Sequence, residues 1–160
     1  MTIREMTEND LDRISAICIE SFMESVAASL SEKGISTFKE IASSNAFSSR
    51  MQEDNVMLVS EEGNQLNGVI ELKKGCHVAM LFVDPKCQNK GIGRKLLSAA
   101  LNHVRTDILI VRASLSSVPA YIKYGFACKG DAAELEGLIY QPMELEFNKS
   151  IHTADSRNIG

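Results

Sequence analysis

Apolar residues at Leu11, Ile14, Cys18 and Phe22 recur at spacings of three and four, which predicts an amphipathic helix running to about residue 24. Thr7 stands ahead of it as an N-cap, with Glu8 and Asp10 in the first turn, where the helix dipole favours carboxylates. Residues 2–6 predict a short first strand. Residues 25–50 are rich in Ser and Ala and are interrupted by Gly34. They predict one or two helices, either as a flexible cover over a site or as a plain helix-loop-helix.

From residue 55 the rhythm changes. Val56 to Val59 is a short apolar run, Glu61-Glu62-Gly63-Asn64 a turn, and Leu66 with Gly68 to Leu72 a second run, so a hairpin is expected. After the Lys73-Lys74-Gly75 turn, Val78 to Val83 is apolar on both faces, the mark of a strand buried between two layers. Ile92, Leu96, Leu97, Ala100, Leu101 and Val104 return to the helical period. Ile108 to Val111 predicts another buried strand, and Val118 to Tyr124 a short helix ended by Gly125. Leu138 to Phe147 predicts a last strand, whose Pro142 implies an edge or a bulge. The sum is a mixed sheet covered by helices, an α/β (α+β) fold in a single domain over residues 1–147. The polar residues 148–160 are expected to be loose.

Composition narrows the chemistry. A chain of 160 residues with 44% apolar and 24% charged residues suits one ordinary globular domain that needs neither disulfides nor a metal. The net charge of −4, with no basic run, argues against a nucleic-acid partner. Neither a signal-like leader nor a membrane-length apolar run stands in the sequence, so a cytoplasmic protein without a membrane partner is expected. Cys18, Cys76, Cys87 and Cys128 form no C-x-x-C pair and no zinc spacing, which predicts reduced thiols and no metal.

The densest chemistry lies in Val83-Asp84-Pro85-Lys86-Cys87-Gln88-Asn89-Lys90-Gly91-Ile92-Gly93-Arg94. A buried strand ends, Asp-Pro breaks it, and a loop opens a long helix. The first N–H groups of that helix have no intrahelical partner and carry roughly half a positive charge. Gly91 and Gly93 let a bulky anion approach the backbone, and Lys90 and Arg94 add charge beside it. A pyrophosphate suits such a turn. The Walker A pattern is absent, and the dinucleotide fingerprint lacks its third glycine and its short loop. A helix start that merely contains glycine is the plain alternative.

The full string V-D-P-x-x-Q-x-x-G-x-G resembles motif A of the GNAT superfamily of acyl-CoA N-acyltransferases, with Gln88, Gly91 and Gly93 in its fixed positions. Ala113 to Phe126, ending Tyr121-Ile122-Lys123-Tyr124-Gly125-Phe126, resembles motif B, and Gly137 to Met143 resembles the last strand of one branch. The resemblance spans about residues 55–146. It implies a central, mostly antiparallel sheet of about six or seven strands flanked by helices. It also implies acetyl-CoA as acyl donor, lying between two splayed strands at residues 77–83 and 108–114.

On that resemblance, backbone N–H groups of Gln88, Asn89, Lys90, Gly91, Ile92, Gly93 and Arg94 hold the pyrophosphate. Backbone groups of Leu81, Phe82 and Val83 meet the pantetheine arm, and one N–H polarises the thioester carbonyl. Losing such a donor typically costs about 3–4 kcal/mol. Ser114 stands where many relatives carry Asn against the arm. Tyr121 matches the general acid that protonates the departing thiolate. Glu71 and His77, on adjacent strands, are candidate bases, their alternatives being a solvated strand carboxylate and a strand-end histidine satisfied by its neighbours. Cys87 lies by the turn, without an adjacent base to make it a nucleophile. The implied reaction is direct attack by a primary amine, small or on a protein or peptide, in a possible homodimer. A catalytically silent acyl-CoA-binding module is the other class. Residues 20–50, with Glu20, Phe22, Glu24, Lys33 and Phe38, are expected to line the acceptor pocket, their carboxylates leaning toward a cationic acceptor.

Overall fold

The computed structural model describes residues 1–147, so the expectation for 148–160 lies outside the described residues. Strand β1 (Thr2–Glu5) precedes helix α1 (Leu11–Ser25), α2 (Glu32–Ile41) and α3 (Ser44–Arg50). Strands β2 (Asn55–Glu62), β3 (Gln65–Lys73) and β4 (His77–Val83) follow, then α4 (Ile92–Leu101) and β5 (Ile108–Ser114). The described part closes with α5 (Val118–Lys123), β6 (Ala127–Cys128), β7 (Ala133–Leu135) and β8 (Leu138–Glu146).

The eight strands form one mixed sheet in the order β1-β2-β3-β4-β5-β8-β6, with β7 also on β8. All neighbours are antiparallel except β4 and β5. Two more strands than the sequence reading traced come from β6 and β7, which span two and three residues and carry no periodic signal. The first hairpin is tighter than expected. Its strands run to Glu62 and from Gln65, and Gly63 and Asn64 both take positive φ (57° and 67°), the pair that a two-residue turn matching the sheet twist requires.

Helices cover the sheet unequally. On one face α4 packs Ile92, Leu96, Leu97 and Ala100 over Leu58, Ile70, Leu72, Leu109 and Val111. On the other, α1 to α3 bring Ile14, Ile17, Phe22, Phe38 and Phe47 over Val59, Val69 and Met80. Fully burying each such side chain stabilises the fold by about 1.5–3 kcal/mol.

Three local expectations change. Gly34 lies inside α2 and breaks nothing; the break falls at Ala42-Ser43. Two serines of this stretch are caps: Ser31 accepts from Gly34 N–H (3.3 Å) and Ser43 from Ala46 N–H (3.1 Å). Strand β5 alternates rather than being buried throughout. Ile108 and Ile110 are 42% and 36% exposed, because helices α1 to α3 stop short of this part of the sheet. Pro142 sits in neither an edge nor a bulge, for the β5–β8 register is unbroken from Ile108↔Glu146 to Ser114↔Tyr140. The missing N–H falls instead where the outer neighbour of β8 changes from β7 to β6, so no ladder bond is lost.

Candidate functional site

The site begins with a defect in the sheet. Strands β4 and β5 pair at only two positions, His77↔Ile110 and Val78↔Val111, and then part. Ala79 is extra in the β3–β4 register, since Glu71 faces Met80 and Leu72 faces Val78. A bulge of this kind bends its strand, and here it lies at the first unpaired step of β4. The gap that opens is continuous with a cavity of about 790 Å³.

That cavity crosses the sheet. On the α4 face it is lined by Leu81, Val83, Gly91, Ile92, Gly93 and Tyr121. On the α1–α2 face Phe22, Phe38, Phe82, Arg112, Leu138 and Tyr140 form its wall. Phe22 and Phe38 stack with ring centroids 3.9 Å apart, and Phe82 meets Phe38 edge-on. A ligand entering at the turn and threading the gap therefore reaches the opposite face.

At the mouth lies the glycine turn. Asn89 and Gly91 take positive φ (65° and 78°), and Gly91 is the N-cap of α4. Among the described residues, backbone N–H groups from Gln88 to Arg94 have no main-chain acceptor; the first helical bond is Lys95 N–H to Gly91 carbonyl, 3.1 Å. Seven successive donors are thus left without a main-chain partner. A Cβ on Gly91 would enter open space, whereas a Cβ on Gly93 would lie 2.8 Å from the Tyr124 hydroxyl. The second glycine therefore also serves packing, a signal that spacing alone did not carry. The turn is anchored through buried Asp84, which accepts from Lys86 N–H (3.0 Å) and from Arg13 of α1 (2.7 Å).

Of the cofactor-site candidates, Leu81, Phe82, Val83, Gln88, Asn89, Gly91, Ile92, Gly93, Arg94, Ser114 and Tyr121 all line the cavity. Lys90 is exposed and lies off it. The Ser114 hydroxyl bonds with that of Ser117 (2.8 Å), and Arg94 donates to the Lys123 carbonyl (3.3 Å) with its guanidinium over the Tyr124 ring. Tyr121 is buried edge-on against Tyr124 and Phe126. Burial, reinforced by Tyr124, holds its phenol well above the ordinary value, so it stays protonated at neutral pH. Sequence reading did not single out Tyr124, Arg112 or Tyr140 as site residues. A cross-sheet cavity is a tertiary fact, and residue spacing within β5 or β8 does not announce it.

The two candidate bases fall elsewhere. Glu71 is not solvated but fully buried beneath α3, where Arg50 Nε donates to both carboxylate oxygens (2.9 and 3.2 Å). His77 sits at the closed end of the splay, half-buried, with its basicity lowered by burial and by the charges of Arg112 and Lys73. Neither side chain lines the cavity. From residues 20–50, Phe22 and Phe38 reach it while Glu20, Glu24 and Lys33 do not, so the acidic lean of that segment belongs to the surface. Its charged lining residues are all cationic: Arg94, Arg112 and Lys123. No group of three or more potential metal ligands occurs among the described residues, and no helix there is long and apolar enough to cross a membrane.

Residues 26–147 match the family model described as an acetyltransferase (GNAT) domain. The fold is shared with a GCN5-related N-acetyltransferase from Rhodopseudomonas palustris, with a TM-score of 0.81 and 22% identity over 91% of this chain and 95% of that one. It is shared with PaiA N-acetyltransferase from Thermoplasma acidophilum, solved with coenzyme A (0.73, 22%, covering 91% and 98%). YncA from Salmonella typhimurium, solved with its cofactor acetyl-CoA, is likewise similar (0.68, 22%, covering 93% and 95%). No curated protein matches the sequence.

Proposed function

Because the chain belongs to the GNAT acetyltransferase family, we propose that it transfers an acetyl group from acetyl-CoA to a primary amine by direct attack within a ternary complex. The observation that carries the reading is the run of seven unpaired N–H groups, Gln88 to Arg94, at the mouth of a cavity that passes through the sheet. The turn holds the donor's pyrophosphate, the β4–β5 gap takes its pantetheine arm, and the thioester lies within the gap, its sulfur toward Tyr121 and its carbonyl carbon open to the far face. There the amine approaches past Phe22 and Phe38.

The amine nitrogen bonds to the thioester carbonyl carbon, the carbon–sulfur bond breaks, and the thiolate takes a proton. Tyr121 supplies that proton: it lines the cavity and its raised pKa keeps the phenol loaded at neutral pH. No carboxylate or histidine lines the cavity among the described residues. The amine therefore sheds its proton to water, at a cost of about 4–5 kcal/mol for a lysine-like amine at pH 7. We extend the proposal to a metal-free reaction in the cytoplasm on an amine of a small molecule or of a protein or peptide, with neither a nucleic acid nor a membrane as partner.

A thiol-release assay with acetyl-CoA and a mixed amine panel tests the reading. Tyr121→Phe is expected to lower kcat by about 10²- to 10⁴-fold while leaving acetyl-CoA affinity in place. The wild-type rate should climb with pH as the amine deprotonates, with no falling limb below about pH 10, the ordinary phenol value, since the Tyr121 shift is upward. Tight acetyl-CoA binding without turnover of any amine would favour the binding-module reading instead.

A further inference from the structure

We propose that the acceptor is a small primary amine carrying a carboxylate beside an apolar body, and that Arg112 receives that carboxylate. The inference rests on the acetyltransferase reading above and names the acceptor class for the same site.

On the face where the amine approaches, Phe22, Phe38 and Leu138 give the cavity wall its apolar part, beside Ser21 and Ser25 of α1. Arg112 is the one charged side chain of that wall, since Arg94 and Lys123 belong to α4 and α5 on the opposite face. It lies one residue past Val111, the last paired position of β5, and so stands at the inner end of the gap. Arg112 is also unspent. The ion pairs among the described residues do not include it, although β8 presents Glu144 on the same sheet face, opposite Ile110. Its guanidinium lies instead over the Tyr140 ring, 5.3 Å from the centroid, at the cavity wall. No side-chain hydrogen bond from Arg112 or from the Tyr140 hydroxyl occurs among the described residues.

A stacked, unpaired guanidinium presents a rigid fork of donors that fits a carboxylate in two parallel bonds. The Tyr140 phenol adjoins it. The Phe22–Phe38 stack gives an apolar substituent a surface, and together these describe an apolar α-amino acid or a close analogue. The same charge repels an acceptor with a second ammonium, such as a polyamine, and no cavity-lining carboxylate is available to hold one.

The experiment uses the full chain, acetyl-CoA and matched amine pairs: phenylalanine with phenethylamine, and leucine with isoamylamine. Spermidine and an N-terminally free peptide amide complete the panel. The amino acid of each pair is expected to exceed its decarboxylated partner in kcat/KM by about tenfold or more. Arg112→Gln should lower kcat/KM for the amino acids by about 10- to 100-fold, chiefly through KM, and collapse the preference within each pair. Arg112→Lys should restore part of it. Arg112→Glu should turn the preference toward spermidine. Equal or better turnover of the decarboxylated partners overturns the inference, as does an equal loss for both members of a pair in Arg112→Gln, or a preference for the peptide. Acetylation of amines regardless of carboxylate sinks this inference alone. Acetyl-CoA binding without any acetylation sinks the enzyme reading and this inference with it.

Discussion

At the scale of single residues, the two glycines of the turn are constrained for different reasons. Gly91 needs its left-handed backbone and leaves open room beyond its Cα. A non-glycine residue in that conformation costs about 1–2 kcal/mol, and a glutamate there also places a negative charge where the pyrophosphate would sit. Gly91→Glu should weaken acetyl-CoA binding by about tenfold or more in a calorimetric titration; unchanged affinity would remove the turn from the donor site. Gly93 has a helical backbone, and its limit is the Tyr124 hydroxyl. A methyl group on Gly93 would stand 2.8 Å from that oxygen, whereas the ring carbon behind it is 3.8 Å away. Gly93→Ala should displace the Tyr124 hydroxyl, a cost set against alanine's helix preference of about 0.5–1 kcal/mol, so denaturant unfolding without donor should change by no more than about 1 kcal/mol, and the substitution should be better tolerated in Tyr124→Phe. The motif was legible because its glycines and the helical stripe behind them are local. The Tyr124 contact was not, because it joins α4 to the residue that caps α5.

At the scale of elements, the hairpin and the periodic helices could be read from sequence, and the Ser31 and Ser43 caps and the cover of each strand face could not. Apolar residues at Ile108 and Ile110 looked buried, yet whether a strand face is covered depends on where distant helices end. Glu71 shows the same limit in reverse. A carboxylate in a strand reads as solvated until α3 brings Arg50 over it. Removing one partner of a buried pair costs about 3–5 kcal/mol, so Glu71→Gln should lower the denaturation midpoint sharply. The pH profile of kcat/KM, measured well below that midpoint, should keep its shape. A lost alkaline or neutral limb in that variant would return Glu71 to the chemistry. The bulge at Ala79 was also beyond sequence reading, since an extra residue in one register is defined only by its neighbour.

At the scale of the whole molecule, the chain order of strands and helices followed from the alternation of periods, while the sheet order and the cavity, which opens where β4 and β5 part, are encoded by no single period. The sheet is continuous from β1 to β4 and from β5 through β8, and only two residue pairs join the two halves. Mechanically it is two leaves stitched at one end. On the proposed reading, the backbone groups along the open seam would meet the donor's peptide-like arm, which would act as a guest strand completing the ladder. Amide hydrogen exchange should therefore slow on adding acetyl-CoA along residues 79–83 and 112–114, while the centre of the β2–β3 hairpin changes little. If protection appeared at the hairpin and not along the seam, the donor would have to bind elsewhere. A donor seated there would close the line at which only two pairs join the leaves, and the stability of the two leaves as a unit would become a function of donor concentration.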